Sequence, residues 1–179
     1  MNVRYYAVPD TNVLVSAMLK DTSIPGQVVV EALIGGIIPL YNNEILMEYA
    51  DVLARPKFQF DKRDVRLLID TIIKRGIPVD AGPVEDVLPD PKDAVFYAVT
   101  MEKKKTDDAY LVTGNEKHFP KVPFVVTPRE MLEILRETLA QPLENELPDK
   151  KEAFQHFVGL FPEKGLELAA ENTSNEQLK

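Results

Sequence analysis

Cysteine is absent from the 179 residues, which excludes a disulfide framework, a thiolate zinc site and a cysteine nucleophile. Only two histidines occur, so metal chemistry must draw on oxygen ligands or on those two imidazoles. Excess basic charge is lacking too: 21 Lys and Arg stand against 29 Asp and Glu, for a net charge of -8. Whole-molecule attraction to nucleic acid or to an anionic membrane is therefore not expected, and a phosphate-bearing partner has to be met locally. No stretch approaches the roughly 18 apolar residues of a membrane span. Arg4 and Pro9 also break any signal-like run at the start, which makes a soluble cytoplasmic protein without membrane contact the expectation.

What the chain does have is 45% hydrophobic residues, enough at this length for one domain with a sizeable core. The acidity is uneven, because Glu137 to Lys179 holds nine acidic against four basic residues and leaves only -3 for the rest. This predicts a nearly balanced body over residues 1–136 and an acidic extension over 137–179. Within the extension, 141–150 reads as a Pro- and acid-rich linker. Phe154, Phe157, Val158 and Phe161 recur at helical spacing, and a polar tail follows. That stripe fits a short helix, packed back on the body or against a neighbouring molecule, the latter giving a homo-oligomer.

In the body, β-like runs alternate with helical patterns. Strands are expected over 3–8, 37–41, 109–113 and 124–126. Helices are expected over 27–34, from Asn42 or Asn43 to about Leu53, over 61–75, from Asp90 to about Lys103, and from Thr127 onward. Thr127-Pro128-Arg129-Glu130 has the form of a capping box, and Asp90-Pro91-Lys92-Asp93 a similar start with Asp93 reaching back. The alternation predicts an α/β fold, a central parallel sheet covered by helices on both faces.

In such sheets ligands bind beyond the carboxyl ends of the strands. Asp10 follows the first strand and Asn115 follows Leu111-Val112-Thr113-Gly114, so both can enter one crevice if their strands are neighbours. An Asp in that place also commonly caps the next helix. Around the helix that begins at Asn42 or Asn43, at 100° per residue, Glu48 lies about 40° from Glu44, on the shoulder between the buried and exposed faces. Glu44 and Asp51 fall outside it. Asp93 has a structural role available as a capping residue. Gathering Asp10, Glu48 and Asp93 without a counter-charge would raise at least one pKa, a conflict that a divalent cation removes. Oxygen ligands suit Mg²⁺ or Mn²⁺, which activates water against a phosphodiester.

The segments PDTNVLVSAM, NNEILMEYADVLARPKF, LPDPKDAVFYAV and AYLVTGNEKHFP, in this order and spacing, resemble the PIN-domain family, in particular its bacterial branch of toxin components of toxin–antitoxin systems. The resemblance covers roughly Val3 to Leu135. It implies a Rossmann-like α/β/α sandwich and a Mg²⁺- or Mn²⁺-dependent ribonuclease with RNA as substrate. It assigns Asp10, Glu48 and Asp93 as catalytic metal ligands, and places Asn12, Thr113 and Asn115 at the substrate side of the cleft. A separate antitoxin protein would be the partner. Where the family often has VTGD, this chain has VTGN, so Asn115 replaces a fourth acid, and Lys92 stands where many members have an acid. Those departures keep open a weakly active or inactive module that binds RNA or protein. An aspartyl-nucleophile phosphatase is disfavoured, because it would want an acid where Asn12 stands. His118 lies in the loop near the cleft, where contact with RNA is open to it, but reads first as a loop-packing residue beside Phe119-Pro120, and His156 reads as a tail residue. Basic clusters at Arg55-Lys57, Lys62-Arg63-Arg66 and Lys103-Lys104-Lys105 read as solvated faces unless they meet the carboxylates.

Overall fold

Strand β1 (Tyr5–Pro9) lies in the middle of a five-stranded sheet of order β3-β2-β1-β4-β5. The other strands are β2 (Ile37–Tyr41), β3 (Ile77–Pro78), β4 (Ala109–Val112) and β5 (Val125–Val126), and every pairing is parallel. The structure, a computed structural model, describes residues 5–85 and 88–139. The expected extension beyond that, with Phe154, Phe157, Val158, Phe161 and His156, lies outside the described residues.

Parallel strands need long crossovers, and helices supply them. These are α1 (Thr11–Leu19), α2 (Ile24–Ile34), α3 (Asn43–Leu53), α4 (Lys62–Arg75), α5 (Ala94–Lys104) and α6 (Pro128–Leu139). An all-parallel sheet with helical crossovers is the expected α/β fold. The strand residues Val8, Leu40, Leu111 and Val112 have no exposed surface, as a sheet covered on both sides requires. Full burial of one such aliphatic side chain contributes about 1.5–3 kcal/mol.

Local chemistry sets most helix starts. Asn42 Oδ1 accepts from Ile45 N–H and begins α3, and Asp61 Oδ1 accepts from Arg63 N–H and begins α4. Thr127 and Glu130 close the expected capping box, Thr127 N–H donating to Glu130 Oε2 and Glu130 N–H to Thr127 Oγ1.

The structure corrects four local expectations. Helix α1 has no counterpart in the pattern reading, because Val13, Leu14, Ala17 and Met18 are all buried and the segment lacks a clear polar face. Helix α2 begins at Ile24, earlier than expected, since Ser23 caps Gly26 N–H ahead of the apolar run. Strand β1 includes Pro9 as its last residue, where a missing N–H removes little from the ladder. Pro91–Asp93 forms a 3₁₀ turn before α5; Asp90 Oδ1 caps Lys92 N–H, but Asp93 makes no capping bond and its carboxylate turns elsewhere.

The lysines at 103–105 have structural partners. Lys103 pairs with Asp107 at 2.6 Å and lies over the Tyr6 ring, Lys105 pairs with Glu102, and Lys104 lies over the Phe124 ring. Among the described residues, no single helix is long and apolar enough to cross a membrane.

Candidate functional site

The strand order reverses at β1: successive strands run one way to β2 and β3, and the other way through β4 and β5. The crevice outside the carboxyl ends of β1 and β4 is therefore the switch point of this sheet. Register places Pro9 opposite Val112 and brings Asp10 N–H to the Val112 carbonyl at 2.8 Å, so Asp10 and Thr113 leave adjacent strands side by side. The adjacency that links Asp10 to the VTGN segment is thus a property of the sheet.

Asp10 occupies the cap position of α1, yet its side chain makes no capping bond. Instead Thr113 Oγ1 and Asn12 Nδ2 both donate to Asp10 Oδ2 at 2.6 Å. Thr113 Oγ1 also accepts from Asn12 Nδ2 at 3.3 Å and from Asn115 N–H at 3.0 Å. Asn12 Oδ1 accepts from Gly114 N–H at 2.9 Å; a Cβ on residue 114 would lie only 3.2 Å from that oxygen, so glycine permits this approach. These bonds fix the Asp10 carboxylate.

The electrostatics are unbalanced. Burial pushes the Asp10 carboxyl above the usual carboxylate range, against the opposing bond from Thr113, the nearby backbone N–H groups of Asn12 and Thr11, and the proximity of His118. Asp93 is raised first by burial and then by the negative charge of Asp10, while its bond to His118 acts the other way. The Tyr49 hydroxyl, wholly enclosed, is raised well above its ordinary value by burial and by Asp10. Among the described residues no Lys or Arg pairs with Asp10 or Asp93.

His118 is the residue whose role the sequence reading mistook. It does not pack the loop: Phe119 is buried, and the His118 side chain, 46% exposed, turns outward to Asp93. Its Nδ1 lies 2.9 Å from Asp93 Oδ2 and its Nε2 lies 2.8 Å from Asn115 Nδ2. A carboxylate only accepts, so Nδ1 carries the proton, and Nε2 of a neutral ring then accepts from the Asn115 amide. The available signal was the spacing from Asn115 to His118, which a single 3₁₀ turn (Glu116–His118) brings onto one side.

The structure therefore joins Asp10, Asn12, Asp93, Thr113 and Asn115, with His118 as the bridge. It does not join Glu48. That residue is partly buried on α3, beside Tyr49, and makes no hydrogen bond or ion pair among the described residues. No group of three or more Asp, Glu or His among the described residues could hold a metal ion. In type and charge the two raised carboxylates still fit a hard divalent cation, which would relieve their mutual repulsion. The polar network beside them offers oxygen and amide ligands and no soft donor.

Asn115 stands where an acid would add a third carboxylate to this cluster. Asn115→Asp is expected to tighten Mn²⁺ binding severalfold in titration calorimetry, through negative charge added one imidazole ring away from Asp93. Unchanged affinity would place residue 115 outside the range of the ion.

The family model of the PIN domain matches residues 6–117, spanning β1 to the turn that carries His118. No curated protein and no solved structure matches the chain.

Proposed function

The chain belongs to the PIN-domain family, whose members are generally nucleases, and from that premise we propose that it is a metal-dependent ribonuclease that hydrolyses phosphodiester bonds of RNA. The observation that carries the proposal is the pair of buried Asp10 and half-buried Asp93 at the switch point of the sheet, each raised in pKa and neither paired with a Lys or Arg among the described residues. Such a pair favours a cation in its midst.

Asp10 and Asp93 would hold Mg²⁺ or Mn²⁺ between them, Glu48 lying outside their hydrogen-bonded network. When bound, such an ion supplies an activated water and neutralises charge that builds on the phosphodiester. The protein's own part is positional. Thr113 and Asn12 hold Asp10 Oδ2 in one place, so the carboxylate does not reorganise as the reaction proceeds. His118 holds Asp93 and, through Asn115, ties the turn before α5 to the loop after β4. Likeness to the toxin branch extends the proposal to a toxin component, acting in the cytoplasm and restrained by a separate antitoxin protein.

Two observations favour a second reading, a PIN module that binds RNA or protein and scarcely cleaves: Asn115 stands where the resembled family often has an acid, and Glu48 is not gathered to the other two carboxylates. A thermal experiment separates the two. A ligand that binds only the folded state stabilises it by mass action, by about 2.7 kcal/mol at a hundredfold excess over Kd. Mn²⁺ is expected to raise the melting temperature of the wild type by several degrees, to do so much less for Asp10→Asn, and to support cleavage of single-stranded RNA on a gel. Equal shifts for both proteins, with intact RNA, would favour the binding module.

A further inference from the structure

Outside the network that holds the carboxylate pair, a cavity of about 610 Å³ opens between the start of α3, the loop 81–84 and the turn before α5. That volume falls within the roughly 300–1,000 Å³ of sites that take small organic groups. The turn is shared with the carboxylate site. Lys92 and Ala94 line the cavity, while Asp93 between them bonds to His118 and feels the charge of Asp10. A polymer whose backbone is held at Asp93 therefore has this opening next to it.

The lining sorts into an apolar wall and two charges. Pro83, Val84 and Val95 supply apolar surface, and Lys92 and Glu44 are the charged members. The Lys92 ammonium forms no ion pair among the described residues, unlike Lys103 and Lys105. In a chain of net charge -8, a free cation one residue from Asp93 suits a phosphate. Glu44 opposes a second anion in the same space and suits the N–H donors on the edge of a base. The apolar wall suits the face of that base.

We infer, on the reading that this protein acts on RNA, that the cavity binds one nucleotide of a single-stranded RNA, with its phosphate at Lys92 and its base against Pro83, Val84 and Val95. A paired base cannot enter without leaving its stack, so the site discriminates against duplex. Discrimination of this kind comes from the shape of the cavity and is independent of the metal ligands.

Gly82 borders the cavity, and a Cβ built there meets nothing within 4 Å. Gly82→Phe therefore starts its side chain in open space at the border of the cavity. The test is fluorescence anisotropy of a fluorescein-labelled single-stranded octaribonucleotide, with Asp10→Asn as the parent so that no cleavage intervenes. Lys92→Ala is expected to weaken binding and to lower the slope of log affinity against log salt by about 0.7, the value of one phosphate contact on a single strand. Lys92→Arg should restore both. Gly82→Phe is expected to weaken binding about tenfold, the loss of one stacked base, with the salt slope unchanged. The exposed Lys92 side chain can be truncated without threat to the fold. A parent that does not bind the octamer, or a Lys92→Ala or Gly82→Phe variant that binds like the parent, overturns the inference. Failure of the nuclease reading shows separately, as intact RNA with the wild type and Mn²⁺.

Discussion

Asp10→Asn is expected to reduce RNA cleavage by roughly 10³-fold, equivalent to about 4 kcal/mol of barrier at ~1.4 kcal/mol per decade. The amide keeps the shape of the side chain, and its oxygen can still accept from Thr113 and Asn12 where Oδ2 does now. Only the charge is lost. Single-turnover cleavage with saturating Mn²⁺ measures the effect, and a variant that retains wild-type rate would remove Asp10 from the chemistry.

The same substitution should act in the opposite direction on stability when metal is withheld. Burial raises the Asp10 pKa above its unfolded value, so the folded protein holds this proton more tightly than the unfolded chain does. Stability from protonation is fully present below the ordinary carboxylate range and is lost as pH rises through the raised pKa. At neutral pH the wild type therefore carries an ionised, desolvated carboxylate, and Asp10→Asn does not. In EDTA at pH 7 the variant should melt higher than the wild type, and the gap should narrow on acidification through that window. Asp93 is raised in the same direction and adds to the wild-type pH dependence, partly offset by its bond to His118. A variant less stable than the wild type at neutral pH would mean that the carboxylate is better solvated than its burial indicates.

Tyr49→Ala is expected to cost about 3–5 kcal/mol of folding stability, the range for emptying a large aromatic site in a core. Tyr49 has no exposed surface, packs against the Phe96 ring at 6.1 Å between centroids, and donates its hydroxyl to the Pro9 carbonyl. In a domain whose net stability is about 5–15 kcal/mol, that loss leaves little in reserve. Tyr49→Phe separates the two contributions. It keeps the ring and leaves the buried Pro9 carbonyl without its donor, at a cost of about 1–3 kcal/mol. Urea denaturation of the three proteins decides the matter. A Phe variant as stable as the wild type would show that the hydroxyl contributes nothing net. The bond also anchors the last residue of β1 directly before Asp10, so Tyr49→Phe should depress cleavage more than its modest stability loss would by itself.

Apart from α1 and the two-residue strand β3, the order of strands and helices was legible in the sequence because local chemistry carries it. Asn42, Asp61 and the Thr127–Glu130 pair announce helix starts through bonds to backbone groups a few residues away. Apolar runs of strand length announce a sheet buried on both faces. The helical periodicity of α3 likewise placed Glu48 on the shoulder of that helix, where it is partly buried. The four motifs carried the family, which the match over residues 6–117 shows. Helix α1 escaped because a segment buried on most sides leaves no polar face to betray its period.

What surrounds Asp10 was decided by the tertiary structure. Sequence places Asp10 and Thr113 at strand ends, but only the pairing of β1 with β4 turns two ends 103 residues apart into a hydrogen bond. Asp93 has two partners open to it: the backbone N–H groups of its own turn and a side chain brought in by the fold. It takes His118, 25 residues away, and leaves the capping to Asp90. Glu48 shows the converse, since its placement on the right shoulder of α3 did not bring its carboxylate into the network of Asp10 and Asp93. Capping bonds and periodicity act within a few residues and can be read along the chain. Burial, strand adjacency and the repulsion between two carboxylates depend on where the fold closes, so the charge imbalance that gives this site its chemistry exists only in three dimensions.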